Sequence, residues 1–279
     1  MQFHKIIEQR KSIREFKDKN IENEVIYNLQ EYTYKAKHLQ NDIATSFHFL
    51  EDGHKVHEYL LGKAGYYGMA IDAPHYLVLI SEKKEHYKKN AGYMMEQILL
   101  KAFEMKIGSC WIDVVDEVHG HELKTKLKID KQGEIVALAA LGYPKTNIFG
   151  IETSVSGRQS IEELVYDKIW GKLMDLGELN QRGLEEIFYY ARHAPSWGNI
   201  QPWKFIIDDD KLILTMLQQD SSEKLIKDHE IDSGIMMLYI EKMMHKQGIQ
   251  GKWDFNINEL DVEKYNMPDN CVIKGWFPI

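Results

Sequence analysis

Cysteine is scarce in this chain of 279 residues, which contains only Cys110 and Cys271. The two thiols lie far apart and no CxxC pair occurs, so the sequence indicates neither a disulfide framework nor a cysteine zinc site. Scattered cysteines are typical of a reducing compartment, which predicts a cytoplasmic protein. We expect Cys110, beside Trp111, to be a buried cysteine rather than a redox thiol.

Long apolar runs and an excess of positive charge are also missing. No stretch approaches the roughly 20 apolar residues that a bilayer crossing needs. The first residues, MQFHKIIEQRKS, lack the apolar core of a signal peptide. The formal net charge of −8 argues against a general nucleic-acid partner. We therefore expect no membrane and no nucleic acid among the partners of this protein.

Histidine occurs in two close pairs, His54 with His57 and His119 with His121. Neither pair has further ligands at a spacing that is typical of a metal site. We interpret both pairs as parts of surface turns and predict no metal centre.

Helical and strand patterns alternate along the chain. A short helix begins at Phe3, and KSIREF (11–16) has an extended pattern. Longer helices are predicted at 23–38, 90–108, 180–193 and 232–249. Strands are predicted at 46–52, 75–80, 134–144, 202–210 and 270–279.

The second half of the chain repeats the order of elements in the first half. Segment 90–111 aligns without a gap with segment 232–253 and shares with it six identical residues, among them Gly92, Met95 and Trp111. Shorter matches join YTYKAKH to IFYYARH, FHFLEDGHK to WKFIIDDDK, and the Gly-Tyr-Pro end of the first half to GWFP in the second. A chance likeness could explain one pair of amphipathic helices, but four elements in the same order favour an ancient duplication. We predict a first unit at 1–168 and a second, degenerate unit at 169–279.

The segment RKSIR places Arg10, Ser12 and Arg14 at alternate positions. In an extended segment such residues share one face, so two guanidiniums and a hydroxyl point the same way. Arginine suits phosphates and planar carbonyl acceptors. The alternative is a solvated basic edge that pairs with Glu8 or Glu15.

The segment HAPSWGNIQPWKF (193–205) is a second candidate for a binding element. Two prolines bracket Ser196, Asn199 and Gln201, which predicts a rigid loop that offers hydrogen bonds. The first half has no such loop, and the second half has no RKSIR segment, so each half lacks what the other retains. Arg158, in SGRQSIEELV, is on its own more typical of a surface arginine than of a ligand.

Together, RKSIREF, APSWGNIQPWKF, IGSCW, ALGYP and GRQSIEELV resemble the landmarks of the flavin-dependent nitroreductase family, in particular its single-chain proteins with two units. The resemblance implies an α+β nitroreductase-like fold, with a mixed sheet packed by helices in each unit of an internally duplicated pseudo-dimer. Family members are usually homodimers with FMN at the subunit interface. A fused pair implies one FMN site between the two units, in a chain that is a monomer or a weak homodimer.

The resemblance also implies a role for each matching residue. Arg10 and Arg158 would grip the FMN phosphate, and Ser12 would lie at the phosphate or the ribityl chain. Arg14 would stabilise negative charge at the pyrimidine edge of the reduced flavin. The remaining candidate cofactor-binding residues are Pro195, Ser196, Asn199 and Gln201 from the second unit, Ser109, Cys110 and Trp111 near N5, and Lys11. Alternation nevertheless puts Lys11 on the opposite face of the segment from Arg10 and Arg14.

The implied function is an FMN-dependent NAD(P)H oxidoreductase that reduces small nitroaromatic or quinone-like acceptors. We assign no acid or base, because the cofactor carries the difficult chemistry. Two alternatives stay open at this point: a flavin-binding or sensor protein without turnover, and a structural partner whose sites are both inactive.

Overall fold

The chain divides into two compact units, Met1–Thr153 and Ser154–Ile279, in a computed structural model. The structure describes residues 3–65, 68–114, 116–146, 148–149, 157–218 and 229–279. Within these ranges, no helix combines the length and the apolar character that a bilayer crossing requires.

The first unit builds a four-stranded antiparallel sheet in the order β1-β2-β4-β3. Its strands are β1 (Thr45–Leu50), β2 (His75–Ser81), β3 (Gly108–Ile112) and β4 (Glu134–Gly142). Its helices are α1 (Phe3–Gln9), α2 (Asn23–Thr33), α3 (Gly53–Leu60), α4 (Tyr87–Glu104) and α5 (Glu117–Lys126). Helix α4 is buried on almost every face, as its apolar circumference predicts, and packs against β2, β3, β4, α1 and α2.

The second unit has a mixed sheet in the order β5-β6-β7-β8, in which only β5 runs parallel to its neighbour. Its strands are β5 (Val165–Asp167), β6 (Trp203–Asp208), β7 (Lys211–Leu217) and β8 (Cys271–Pro278). Its helices are α6 (Ile161–Leu164), α7 (Leu176–Gln181), α8 (Glu185–Ala191) and α9 (Glu230–Lys246), with 3₁₀ turns at Trp197–Asn199, Ile257–Glu259 and Val262–Tyr265.

The two sheets share the order of their antiparallel pairs. Strands β1, β2 and β4 pair in the same sequence as β6, β7 and β8. Strand β4 then pairs with β3, and β8 carries an isolated antiparallel bridge between Trp276 and Asp254. The register shifts once in β2, between Leu79 and Ile80, and once in β7, between Leu214 and Thr215. The α+β class is therefore as predicted, with helices and a sheet in each unit.

Some elements differ from the sequence prediction. Helix α2 ends at Thr33 instead of residue 38. The helix predicted at 180–193 is two helices, α7 and α8, because Gly183 between them has a φ of 70°. Strands β3, β5 and β7 and helices α3, α5 and α6 were not predicted. Strand β5 pairs with β6 and thus belongs to the second sheet, although it precedes the predicted unit boundary at 168.

Candidate active site

The RKSIR segment lies along strand β3. Ser12 forms an isolated parallel bridge with Ser109, and the amide of Ile13 donates a hydrogen bond to the carbonyl of Ser109 at 2.9 Å. The side chain of Ile13 is buried against Gly108, where an added Cβ would lie 3.0 Å from Ile13 Cγ1. The segment is therefore extended and anchored through Ile13, as the sequence predicts.

Three polar residues of this segment, Arg10, Ser12 and Arg14, affect the pKa of the Cys110 thiol. Burial raises the pKa of Cys110, while the charges of Arg14 and Arg10 and a hydrogen bond with Ser12 act in the opposite direction. Cys110 is 4% exposed, so the expected buried cysteine is confirmed. The side chains of Arg10, Ser12 and Arg14 thus all lie close enough to Cys110, on β3, to affect its thiol.

The two arginines differ in their surroundings. Arg10 is buried, and its Nε lies 3.8 Å from Oε1 of Glu96, whereas Arg14 is exposed. Glu96 lies on α4 with no exposed surface, and its Oε2 accepts a hydrogen bond from Nε1 of Trp111 at 2.8 Å. Sequence reasoning missed Glu96; the signal was an acidic residue on a helix that is otherwise apolar on nearly all sides. Lys11 is exposed.

In the second unit, the proline-framed loop follows α8. Pro195 and Gln201 are buried, Ser196 and Trp197 are half-buried, and Asn199 is exposed. Asn199 and Gln201 are left-handed, with φ of 58° and 52°. Such a conformation costs a non-glycine residue on the order of 1 kcal/mol, so the surrounding contacts must hold the loop in place.

Hydrogen bonds from both ends of the loop hold it. The amide of Gln201 donates to Oγ of Ser196 at 3.0 Å. The amide of Trp197 donates to Oδ1 of Asp232 at 3.1 Å, and Oδ2 of the same carboxylate lies 2.9 Å from Nδ1 of buried His229. Sequence reasoning missed His229 and Asp232, whose spacing of three residues across the start of α9 was the available signal.

Arg158 lies at the start of the same loop. It is half-buried, and its two terminal nitrogens donate to the carbonyl oxygens of Ala194 at 2.7 Å and His193 at 3.2 Å. The structure therefore brings Arg158 beside Pro195, and it does not leave this arginine as a detached surface residue.

A family profile described as "Putative TM nitroreductase" matches residues 2–244 of the chain. The chain belongs to this nitroreductase family. The resemblance carried by RKSIREF and APSWGNIQPWKF is therefore confirmed, and as a family member the protein is an oxidoreductase. No protein with curated annotation matches the chain.

Solved structures of nitroreductases resemble this family member. A putative nitroreductase from Thermotoga maritima MSB8 has a TM-score of 0.59 and 16% identity, with 100% of this chain and 94% of that chain covered, which shows a shared fold. An FMN-dependent nitroreductase from Clostridium difficile R20291 has a TM-score of 0.43 and 18% identity, with 63% of this chain and 94% of that chain covered. A nitroreductase with bound FMN from Bacteroides fragilis NCTC 9343 has a TM-score of 0.45 and 19% identity, with 56% and 96% covered.

Proposed function

We propose that the protein is an FMN-dependent oxidoreductase that takes electrons from NADH or NADPH and reduces nitroaromatic or quinone-like acceptors. We further propose that one FMN binds per chain, held by residues of both units. The observation that carries the proposal is the bridge between Ser12 and Ser109, because it places the RKSIR segment of the family along the GSCW segment. A bound FMN would supply hydride acceptance from the nicotinamide and electron delivery to the acceptor.

The first unit offers groups that fit a flavin. Arg14 is exposed and Ser12 is half-buried, so a guanidinium and a hydroxyl are accessible to a ligand. Because burial raises the pKa of Cys110, its thiol adds no negative charge beside Arg14 and Ser12 at neutral pH. Arg14 would then stabilise negative charge at the polar edge of the ring.

The second unit offers a rigid loop and a further guanidinium. Asn199 is exposed on the loop, where its amide can hydrogen-bond to a ligand, and Arg158 is fixed beside Pro195 by two backbone carbonyls. Arg158 is suited to bind the phosphate. The left-handed backbone at Asn199 sets the direction of its side chain before any ligand binds.

We also propose that the two units arose by duplication. Beyond the shared order of strand pairs, Trp111 and Trp253, which the repeat aligns, both donate through Nε1 to the central helix of their own unit. The acceptors are Oε2 of Glu96 at 2.8 Å and the carbonyl of Met237 at 3.0 Å. One acceptor is a side chain and the other a backbone carbonyl, but they lie one residue apart in the aligned helices, which supports a common origin of the two units.

Flavin content and reduction test the proposed function. The purified protein is expected to be yellow or to take up added FMN, and anaerobic NADH or NADPH is expected to bleach the flavin absorbance. A protein that never binds FMN would contradict the proposal. Binding without bleaching by either nicotinamide would favour the flavin-binding alternative without turnover.

A further inference from the structure

We propose that Gln201 is a positioning residue that fixes Arg158 for the flavin phosphate, and that its side chain makes no contact with the cofactor. The inference rests on the proposed function, since it concerns the same phosphate. Gln201 is 6% exposed, and its side chain is directed toward residues 157–159 instead of toward solvent.

The side chain of Gln201 is fully engaged within the second unit. Its Nε2 donates to the carbonyl oxygens of Gly157 at 2.9 Å and Asn199 at 3.2 Å. Its Oε1 accepts from the amide of Gln159 at 3.0 Å. A primary amide carries two N–H donors, and both are used here. A ligand that bound this amide nitrogen would have to replace one of these bonds.

The side chain of Gln159 in turn bonds to the backbone of Gln201. Its Nε2 donates to the carbonyl of Gln201 at 2.9 Å, and its Oε1 accepts from Nζ of Lys204, on strand β6, at 2.9 Å. The two glutamines are therefore linked side chain to backbone in both directions, and the pair is tied to the sheet. We call the contacts among Gly157, Gln159 and Gln201 the glutamine clamp.

The glutamine clamp holds the residues on both sides of Arg158 in the chain. Both chain neighbours of Arg158 are bonded to Gln201, which fixes the backbone from which the guanidinium extends. The guanidinium then bonds to the carbonyls of His193 and Ala194, at the other end of the same loop. Arg158 is thus held from its backbone and from its tip, as a preorganised anion ligand requires.

The backbone at Gln201 is consistent with this role. Its φ of 52° is a conformation that glycine adopts more readily than glutamine. A glutamine in this conformation indicates that the position requires its side chain, and the contacts with residues 157–159 are what that side chain provides. Asn199, by contrast, is exposed and reaches Gly157 only at 3.4 Å, so it stays accessible to a ligand.

The test uses Gln201→Ala in the full chain, with two measurements. In the flavin-free protein, hydrogen exchange at the amide of Gln159 is expected to accelerate, because its acceptor is gone. The dissociation constant for FMN is expected to rise about tenfold, because a displaced Arg158 would lose about one hydrogen bond to the phosphate, while the dissociation constant for riboflavin changes little. Riboflavin lacks the phosphate, so a general loss of structure would weaken both ligands alike.

Tyr265→Phe is the matched control, because it also removes a buried hydrogen bond of the second unit, from Tyr265 to Oδ2 of Asp208 at 2.9 Å. It is expected to leave the ratio of FMN to riboflavin affinity unchanged. Gln201→Gly relieves the backbone strain and replaces Gln201→Ala if that variant does not fold.

The outcomes separate the two proposals. Unchanged exchange at Gln159 would overturn the glutamine clamp, and equal losses for FMN and riboflavin would overturn its link to the phosphate. If the wild-type protein binds neither flavin, the proposed function fails along with that link, while the exchange measurement still decides whether Gln201 fixes residues 157–159.

Discussion

Arg10 and Glu96 form an ion pair in the interior of the first unit, with side chains that are 3% and 0% exposed. Charges in such a position are costly to leave without a counter-charge. A phosphate that approaches Arg10 therefore meets a guanidinium whose charge is already balanced by a carboxylate. Arg14, by contrast, is exposed, so its guanidinium faces solvent and, among the residues that the structure describes, has no buried carboxylate to balance it in the way that Glu96 balances Arg10.

Glu96→Gln removes the counter-charge of Arg10 but keeps an oxygen that can accept from Trp111. We expect the free energy of unfolding to fall by about 3 kcal/mol, because one charge of a buried pair is left behind. Arg10→Met combined with Glu96→Gln is expected to regain most of the loss, since replacing both charges is often close to neutral. Urea denaturation of the wild type, Glu96→Gln, Arg10→Met and the double variant measures the cycle, and strictly additive losses would contradict the pairing.

Residue-level prediction succeeded where a local pattern decides the outcome. Alternation alone places Ile13 inside and Arg14 outside, because an extended segment has only two faces. It could not foresee that Arg10, on the same face as Arg14, would be buried beside Glu96. That difference depends on the packing of α1 and β3 against α4, which no spacing within RKSIR encodes.

At the level of elements, the break between α7 and α8 shows how one residue overrides a helical pattern. The apolar spacing of 180–193 suits a single helix, yet Gly183 adopts a φ of 70° and separates two short ones. The sequence contained the glycine, but glycine within a helical pattern is also compatible with an unbroken helix. Only the tertiary packing of α7 and α8 decides between them.

Two glycine-to-alanine substitutions test this backbone argument. Gly183→Ala is expected to destabilise the protein by about 1 kcal/mol, although no atom lies within 4 Å of the added Cβ, because the left-handed conformation is strained for alanine. Gly120→Ala, within α5, is expected to stabilise by about 0.5–1 kcal/mol, since its Cβ would meet Val114 at an ordinary 3.6 Å. Thermal denaturation compares them; effects of the same sign would contradict the argument.

His75 connects the start of β2 to the segment before α2. It is 2% exposed, and its Nε2 accepts a hydrogen bond from the amide of Ile21 at 2.9 Å, which a protonated Nε2 cannot do. Burial lowers the pKa of His75, although the charge of Glu51 opposes this. Below the ordinary histidine pKa of about 6.5 the unfolded chain therefore binds more protons than the folded one, and stability falls as the pH decreases.

His75→Gln is expected to reduce the loss of stability between about pH 7 and about pH 5, because one proton-linked group is removed. The dependence should not vanish, since burial also lowers the pKa of His38 and His48. Urea denaturation at several pH values measures the slope. The same substitution at exposed His121 is the control, and an equal change there would contradict a specific role for His75.

At the scale of the whole molecule, aligned positions of the two units share one detail of their central helices. The alignment of segment 90–111 with 232–253 places Ile107 opposite Ile249, and their amides bond to the carbonyls of Ala102 at 2.9 Å and Met244 at 3.0 Å. Identical helix ends at aligned positions are what a duplication predicts. The repeat did not reveal β7, although its counterpart in the first sheet, β2, matches the strand predicted at 75–80.

The distribution of site residues over the chain leads to a prediction about stoichiometry. If each unit bound its own flavin, Arg14→Ala in the first unit and Arg158→Ala in the second would each impair a different site. If one site draws on both units, as we propose, the wild type binds one FMN per chain, and either substitution weakens that single site by about tenfold. Calorimetric titration with FMN gives both the stoichiometry and the affinity. Lys11→Ala is the control: although Lys11 is a candidate from the resemblance, alternation puts it on the opposite face of the segment from Ser12 and Arg14, so we expect the titration to stay unchanged. Two flavins per chain, or an effect confined to one of the two arginines, would show instead that a single unit binds FMN by itself.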